Sequence, residues 1–212
     1  MNTTAYILGT GGQCRVVLSI LNSIKFYKKL LVIELDSLQI GEKIMGHNVI
    51  PFDENILSES HAKHQHFFLA IGSLTKRKKY WKLLSNKGVQ MPNLISPNSI
   101  VDPSAKMGSA NIICAQSYLG PCTQIGNNNL INTASILEHE SSVGDHCHMA
   151  PKSLLAGRSI IGNNCFIGAG ATIIDKIKVA NGTVLGASSC LLENVEKENQ
   201  KLVGIPAKIL NH

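Results

Sequence analysis

Hydrophobic residues recur every six positions over almost half of this 212-residue chain. From Ile95 the series runs through Val101, Met107, Ile113, Leu119, Ile125, Ile131, Leu137, Val143 and Met149 to Leu155, Ile161, Ile167, Ile173, Val179, Leu185 and Leu191. All seventeen positions are aliphatic or Met, without an insertion. Four residues after each comes a small one, such as Ser117, Thr123, Ser135, Ser141, Cys147 or Ser153, with Ile177 the large exception. Gly often follows the aliphatic position directly, as at Gly108, Gly126, Gly144 and Gly162. A helix turns about 600° in six residues, which is no whole number of turns. A simple strand alternates with a period of two. Six residues fit a short strand and a tight corner, and three such units close a triangular coil. The pattern therefore predicts a stacked parallel β-helix of five to six coils, aliphatic side chains inward and small residues at the corners. The polar stretch "ENVEKENQ" ends the repeat, and "KLVGIPAKIL" is expected to cap the last coil's unpaired edges.

The first ninety residues read differently. Ala5 to Leu8 is an apolar strand, Gly9, Gly11 and Gly12 form a turn, and Cys14 to Leu21 has helical spacing. "KLLVIELD" is a second buried strand ending at Asp36; "HFFLAIGS" is another, ending at Gly72-Ser73; "LTKRKKYWKLLSNKG" is a helix. Strands alternating with helices predict a parallel sheet covered on both faces, with ligands at the strands' carboxyl ends. The domains are expected at residues 1–92, 93–194 and, for the cap, 195–212. Gly9-Thr10-Gly11-Gly12-Gln13-Cys14 lacks the third glycine of a dinucleotide fingerprint. Glycines at a helix start still favour an anion, so a nucleoside diphosphate fits better than NAD.

Composition excludes more than it assigns. With 44% hydrophobic residues the chain can bury a core, and at 5% aromatic it lacks the stacking residues that nucleic-acid binders interleave with basic ones. The net charge of +6 is partly gathered in Lys76-Arg77-Lys78-Lys79, read as a solvated helix face or an attractor of anionic small molecules. No apolar run approaches a membrane span, and no signal peptide is evident. The expected location is cytoplasmic. The six Cys show no metal-ligand spacing and read as reduced, small buried residues.

Chemistry gathers in "NTASILEHESSVGDHCHMAP", residues 132–151, which holds His139, His146 and His148. The repeat accounts for Leu137, Ser141, Val143, Cys147 and Met149 and leaves His139, Glu140 and His148 free of structural duty. His139 and His148 are nine residues apart, half a coil, so they should lie on different sides of one prism and meet only between subunits. Gly157 is eighteen residues after His139, one strand spacing of about 4.8 Å away along the stack. Read as strand residues, Glu138 and Glu140 would point away from His139, so the carboxylate partner of His139 is expected from a corner or from another chain and not from within one strand. His146 reads as a surface bystander.

Together these features resemble bacterial sugar acyltransferases of the PglD/NeuD type. The likeness rests on "ILGTGGQCR", "AIGSLTKR", the seventeen hexads, the histidine stretch and "VGIPAKIL", in that order. It implies an α/β Rossmann-like domain followed by a left-handed parallel β-helix, assembled as a homotrimer. It implies transfer of acetyl from acetyl-CoA, with no metal, to the amine of a nucleotide-linked amino sugar, most often UDP-linked. In that reading His139 with Glu140 is the base, and His148 comes from a neighbour. The Gly157 N–H faces the acetyl carbonyl, and Gly204, Pro206 and Lys208 lie along CoA. Gly9, Gly11, Gly12, Asp36, Gly72 and Ser73 hold the nucleotide sugar. Gln13-Cys14 and Asp36-Ser37 depart from the family's usual GGHA or GGHG and its acidic pair. Sugar O-acetylation, for instance of a sialic acid, is the alternative. A γ-type carbonic anhydrase and a non-catalytic nucleotide-sugar binder are weaker ones: a zinc site at a trimer interface would need registers other than the His spacings of seven and two, and the His139-Glu140 pair argues against a mere binder.

Overall fold

In the computed structural model, residues 3–36, 40–58 and 65–210 are described. Ser37 lies outside them. The chain divides into two compact units between Pro97 and Asn98.

The first unit is built on a five-stranded sheet in the order β3-β4-β2-β1-β5. Its strands are β1 (Thr4–Leu8), β2 (Lys29–Glu34), β3 (Lys43–Ile44), β4 (His47–Pro51) and β5 (Gln65–Leu69). Neighbours are parallel except β3, which runs antiparallel at the edge. The interior strand β1, between β2 and β5, is buried on both faces from Ala5 to Leu8, as a parallel sheet requires. Helix α1 (Gly12–Ile24) buries Cys14, Val17, Leu18, Ile20 and Leu21 and stops at left-handed Lys25. A single turn, α2 (Asn55–Ser58), precedes β5, and α3 (Leu74–Asn86) follows it, with Ser73 Oγ accepting from the Lys76 N–H at 3.4 Å. Strand β2 ends at Glu34, two residues before the sequence reading, because the Glu34 carboxylate caps the turn beyond it. The β3–β4 hairpin carries too short an apolar run to be read from sequence. Nor is the basic run wholly solvated: Arg77 is 1% exposed and donates to the Leu69 carbonyl at the end of β5.

The second unit is the left-handed β-helix. Two-residue strands stack at an interval of eighteen, as in Tyr118↔Ile136↔Leu154 and Leu119↔Leu137↔Leu155. From Ile113 to Leu191 every residue of the six-residue series is at most 5% exposed and joins one continuous core. At the start of the series Ile95 is 36% exposed, while Val101 and Met107 are partly buried and pack against the end of that core. From Ala110 to Ser188 each corner holds one residue in the left-handed region, and most are not Gly: Glu140, Arg158 and Lys176 have φ of 58°, 58° and 64°. Their N–H groups donate to carbonyls one coil away, which offsets that cost: Glu140 to Pro121 (2.8 Å), Arg158 to His139 (3.0 Å) and Lys176 to Gly157 (3.0 Å). Buried hydroxyls satisfy corner carbonyls, for example Ser117 Oγ to Cys114 O at 2.6 Å and Ser159 Oγ to Ile174 O at 2.6 Å.

One corner shows why Gly follows the aliphatic position. Asn127, Asp145, Asn163 and Asn181 each accept, through Oδ1, the N–H of the residue eighteen earlier at 2.6–2.9 Å. A Cβ on Gly108, Gly126, Gly144 or Gly162 would lie 2.2–2.5 Å from those same oxygens. Glycine leaves room for the ladder. Beyond the last coil, Lys201–Val203 runs parallel to Val184–Leu185 and pairs antiparallel with Lys208–Ile209, which extends one of the three sheets.

Candidate active site

His139 and Glu140 occupy a corner, not a strand, and the corner brings them into contact. The left-handed turn at Glu140 swings its side chain back, and His139 Nδ1 lies 3.0 Å from Glu140 Oε2. A carboxylate accepts only, so the contact selects, for the neutral ring, the tautomer with the proton on Nδ1 and the lone pair on Nε2. Both side chains are about half exposed in the single chain.

The corner continues one coil on with Gly157 and then Asp175. A Cβ at Gly157 would lie 2.6 Å from both Cε1 and Nε2 of His139, and 3.3 Å from Asp175 Oδ1. The imidazole therefore lies across the bare backbone of Gly157. Its φ is not positive, so absence of a side chain is what the site needs there. Among the described residues its N–H has no hydrogen-bond partner, while its carbonyl accepts from Lys176. Asp175 is held by Arg158, whose Nη2 lies 3.1 and 3.0 Å from its two oxygens. Neither Arg158 nor Asp175 was singled out from sequence, because both sit at ordinary corner positions.

His148 lies on the strand pair opposite this corner. Its Nε2 is 3.3 Å from Asn132 Nδ2, and its ring meets Phe166 edge-on at 5.1 Å. One chain thus does not bring His148 to His139, as the half-coil spacing requires. His146 is a correction: it is 8% exposed, and its Nδ1 lies 2.9 Å from Asn128 Nδ2. A left-handed corner at φ 59° turns the ring inward over the neighbouring coil instead of out to solvent. Among the described residues no group of His, Cys, Asp and Glu could hold a metal ion. Gly204 (φ 98°) donates to Ser189 Oγ at 3.0 Å, so it sits at a different corner from His139. Pro206 and Lys208 are exposed; Lys208 lines a groove of about 520 Å³ with Leu191, Leu202 and Ala207.

The first unit carries its own cavity of about 480 Å³ at the carboxyl ends of β1, β2 and β5. Gly9, Gly11, Gly12, Asp36 and Gly72 line it, as do Thr10, Gln13, Arg15, Glu34 and Lys76, which sequence reasoning did not single out for the site. Ser73 is not in the lining; it caps α3 beside it. Gly9 is demanded by the chain, with φ 109° and a would-be Cβ 2.7 Å from Ala70 O. Gly11, Gly12 and Gly72 have open space around them and no positive φ. Glu34 is 4% exposed and accepts from Thr10 Oγ1 (2.8 Å), Leu35 N–H (2.7 Å) and Asp36 N–H (2.9 Å). Burial raises its pKa, but these three hydrogen bonds outweigh burial and hold the carboxyl below its ordinary value. Burial pushes the Cys14 thiol up to about 11. Asp36 is paired with Lys76.

Residues 4–84 match the family model of the PglD N-terminal domain, and residues 158–192 match that of the bacterial transferase hexapeptide (six repeats). No curated protein sequence matches the chain. Among solved structures, a mutant of perosamine N-acetyltransferase from Caulobacter crescentus in complex with CoA and GDP-perosamine is 25% identical. It matches at a TM-score of 0.91, covering 99% of this chain and 97% of that one. The acetyltransferase domain of PglB from Neisseria gonorrhoeae FA1090 in complex with acetyl coenzyme A is 24% identical at 0.91, covering 99% and 100%. WeeI from Acinetobacter baumannii AYE is 24% identical at 0.89, with the same coverage, and like the PglB domain attests the fold. The first unit thus carries a PglD N-terminal domain and the second a bacterial transferase hexapeptide segment, and over its whole length the chain is similar to sugar N-acetyltransferases that bind CoA. Among the described residues no helix is long and apolar enough to cross a membrane.

Proposed function

We propose that the protein moves the acetyl group of acetyl-CoA to the amino group of a nucleotide-linked amino sugar, with His139 as general base. The observation that carries this reading is the stack of Glu140, His139 and Gly157: an oriented imidazole with a free Nε2 lying over a backbone with an unused N–H. Nε2 takes a proton from the sugar amine as its nitrogen attacks the thioester carbonyl. The C–N bond forms, the C–S bond breaks, and the proton passes on to the departing CoA thiolate. Glu140 fixes the tautomer and stabilises the imidazolium. The Gly157 N–H donates to the oxygen that gains charge.

The division of labour assigned is a nucleotide-sugar domain over residues 1–92, an acetyl-CoA-binding β-helix over 93–194 and a cap over 195–212. Gly9, Gly11, Gly12, Asp36, Gly72 and Ser73 hold the sugar nucleotide. Nothing in the chain itself requires glycine at 11, 12 or 72, whereas a diphosphate lying against the backbone would. Gly204, Pro206 and Lys208 flank CoA. The working form is a homotrimer in which His148 of one chain faces His139 of the next. In support, one outer face presents Ile100, Tyr118, Ile136, Leu154 and Thr172, a mostly apolar row, while another presents Lys106, Gln124, Ser142, Ile160 and Lys178. With acetyl-CoA as donor, the compartment is the cytoplasm.

A UDP-linked amino sugar is the inferred acceptor; a GDP-linked one is the second reading, favoured by the GDP-perosamine in the Caulobacter relative. Thiol release from acetyl-CoA, followed with UDP-, dTDP- and GDP-amino sugars and with free sialic acid, tests both. Turnover of sialic acid alone would replace N- by O-acetylation.

A further inference from the structure

We propose that Lys76 is the diphosphate-binding cation of the first unit's cavity, held on Asp36 until an anion takes it. The inference rests on the reading of that cavity as the nucleotide-sugar site.

Four charged side chains line the cavity: Arg15, Glu34, Asp36 and Lys76. Two are already committed to the fold. Glu34 is buried and its carboxylate takes three hydrogen bonds. Arg15 donates to the Thr10 and Gly11 carbonyls at 3.2 and 3.3 Å and props the glycine turn. The remaining two, Lys76 and Asp36, pair with each other at the surface, their side chains 33% and 54% exposed. An exposed pair adds little stability, so exchanging its partner is cheap.

The surroundings favour a phosphate as the new partner. Helix α1 starts on Gly11, which offers its first turn no side-chain acceptor, and neither α1 nor α3 has an acid in its first turn. Open N–H groups at the start of α1 suit an anion. Gln13 lines the same cavity with its amide nitrogen buried and without a partner among the described residues, a second donor left unfilled. What opposes an anion there are the carboxylates of Glu34, already shared among three hydrogen bonds, and of Asp36. When Lys76 moves to the phosphates it supplies the cation, and Asp36 is freed to accept from a hydroxyl or N–H of the ribose or base. One ion pair thus reads both ends of a nucleoside diphosphate.

Calorimetric titration of the full chain with uridine, UMP and UDP, and with the guanosine series, tests this, using wild type, Lys76→Met, Lys76→Arg and Asp36→Asn. Lys76→Met should weaken diphosphate binding about tenfold to a hundredfold, the range of a lost charged hydrogen bond, and leave nucleoside binding within about twofold. Lys76→Arg should recover most of the loss. Asp36→Asn should bind the diphosphate at least as well as wild type and the nucleoside less well. Unchanged diphosphate affinity in Lys76→Met overturns the inference alone, as does an equal loss of nucleoside and diphosphate. Loss of diphosphate binding in Asp36→Asn overturns the exchange. Failure of wild type to bind any of the six ligands overturns the nucleotide reading and this inference with it.

Discussion

Gly157→Ala adds one methyl where the proposed chemistry has least room. The new Cβ would lie 2.6 Å from His139 Cε1 and Nε2, about 0.8 Å short of the 3.4 Å at which ordinary contact begins. The ring is the part that can move, because it is about half exposed and, among the described residues, tied only by its hydrogen bond to Glu140. Stability should therefore fall by less than ~1 kcal/mol, a melting shift of under about 4 °C. Activity should suffer far more, since displacing a reacting group by about 1 Å costs on the order of a hundredfold. The assay is thiol release from acetyl-CoA with the amino-sugar substrate, read beside a thermal melt. Gly126→Ala is the control: its Cβ would strike Asp145 Oδ1 at 2.2 Å and the Gly144 backbone at 2.9 Å, far from His139 in the coil. It should lower stability by roughly 1–3 kcal/mol as an overpacked site does. Near-normal kcat/KM in Gly157→Ala would refute the placement of His139 over Gly157 as the reacting geometry.

Further outcomes follow from other contacts. His139→Ala should lower kcat about 10²- to 10⁴-fold while leaving the affinity for acetyl-CoA by calorimetry within about twofold. Glu140→Gln keeps the shape but weakens hold on the tautomer, so kcat should fall by roughly tenfold or more, with KM for acetyl-CoA little changed. Glu34 has a depressed pKa when folded, so its stabilisation is present above the ordinary carboxyl pKa and is lost as pH falls through the folded value. Urea unfolding across acidic pH should show that loss in wild type and a flatter profile in Glu34→Gln. Iodoacetamide at mildly alkaline pH, read by mass spectrometry, should label exposed Cys122 first and spare buried Cys14, whose thiol is pushed up to about 11. The homotrimer predicts a light-scattering mass near three times 22.9 kDa, and Leu154→Asp on the apolar outer face should reduce it.

The β-helix was legible because its coil is a strictly local code. Six residues make one strand and one corner, and each side chain's burial depends on its place in that unit. So Leu137, Val143 and Met149 announced an inward row, and what the row did not need, His139, Glu140 and His148, stood out by subtraction. The same arithmetic placed Gly157 one coil from His139. The N-terminal strands were legible for a related reason: β1 and β5 are buried on both faces and read as unbroken apolar runs.

What only the tertiary structure decided is how side chains cross between distant segments. Period alone does not reveal that a left-handed corner turns Glu140 back onto His139, or that another turns His146 inward to Asn128. Nor does it show why Gly126 must be glycine, since the atom that needs the space belongs to Asp145, nineteen residues on. In the first unit, Glu34 meets Thr10 and Lys76 meets Asp36 across gaps in sequence with no fixed interval. Repetition writes its contacts at a constant spacing, which a sequence displays. A mixed sheet forms its contacts by folding distant strands together, and only three dimensions bring those residues into one cavity.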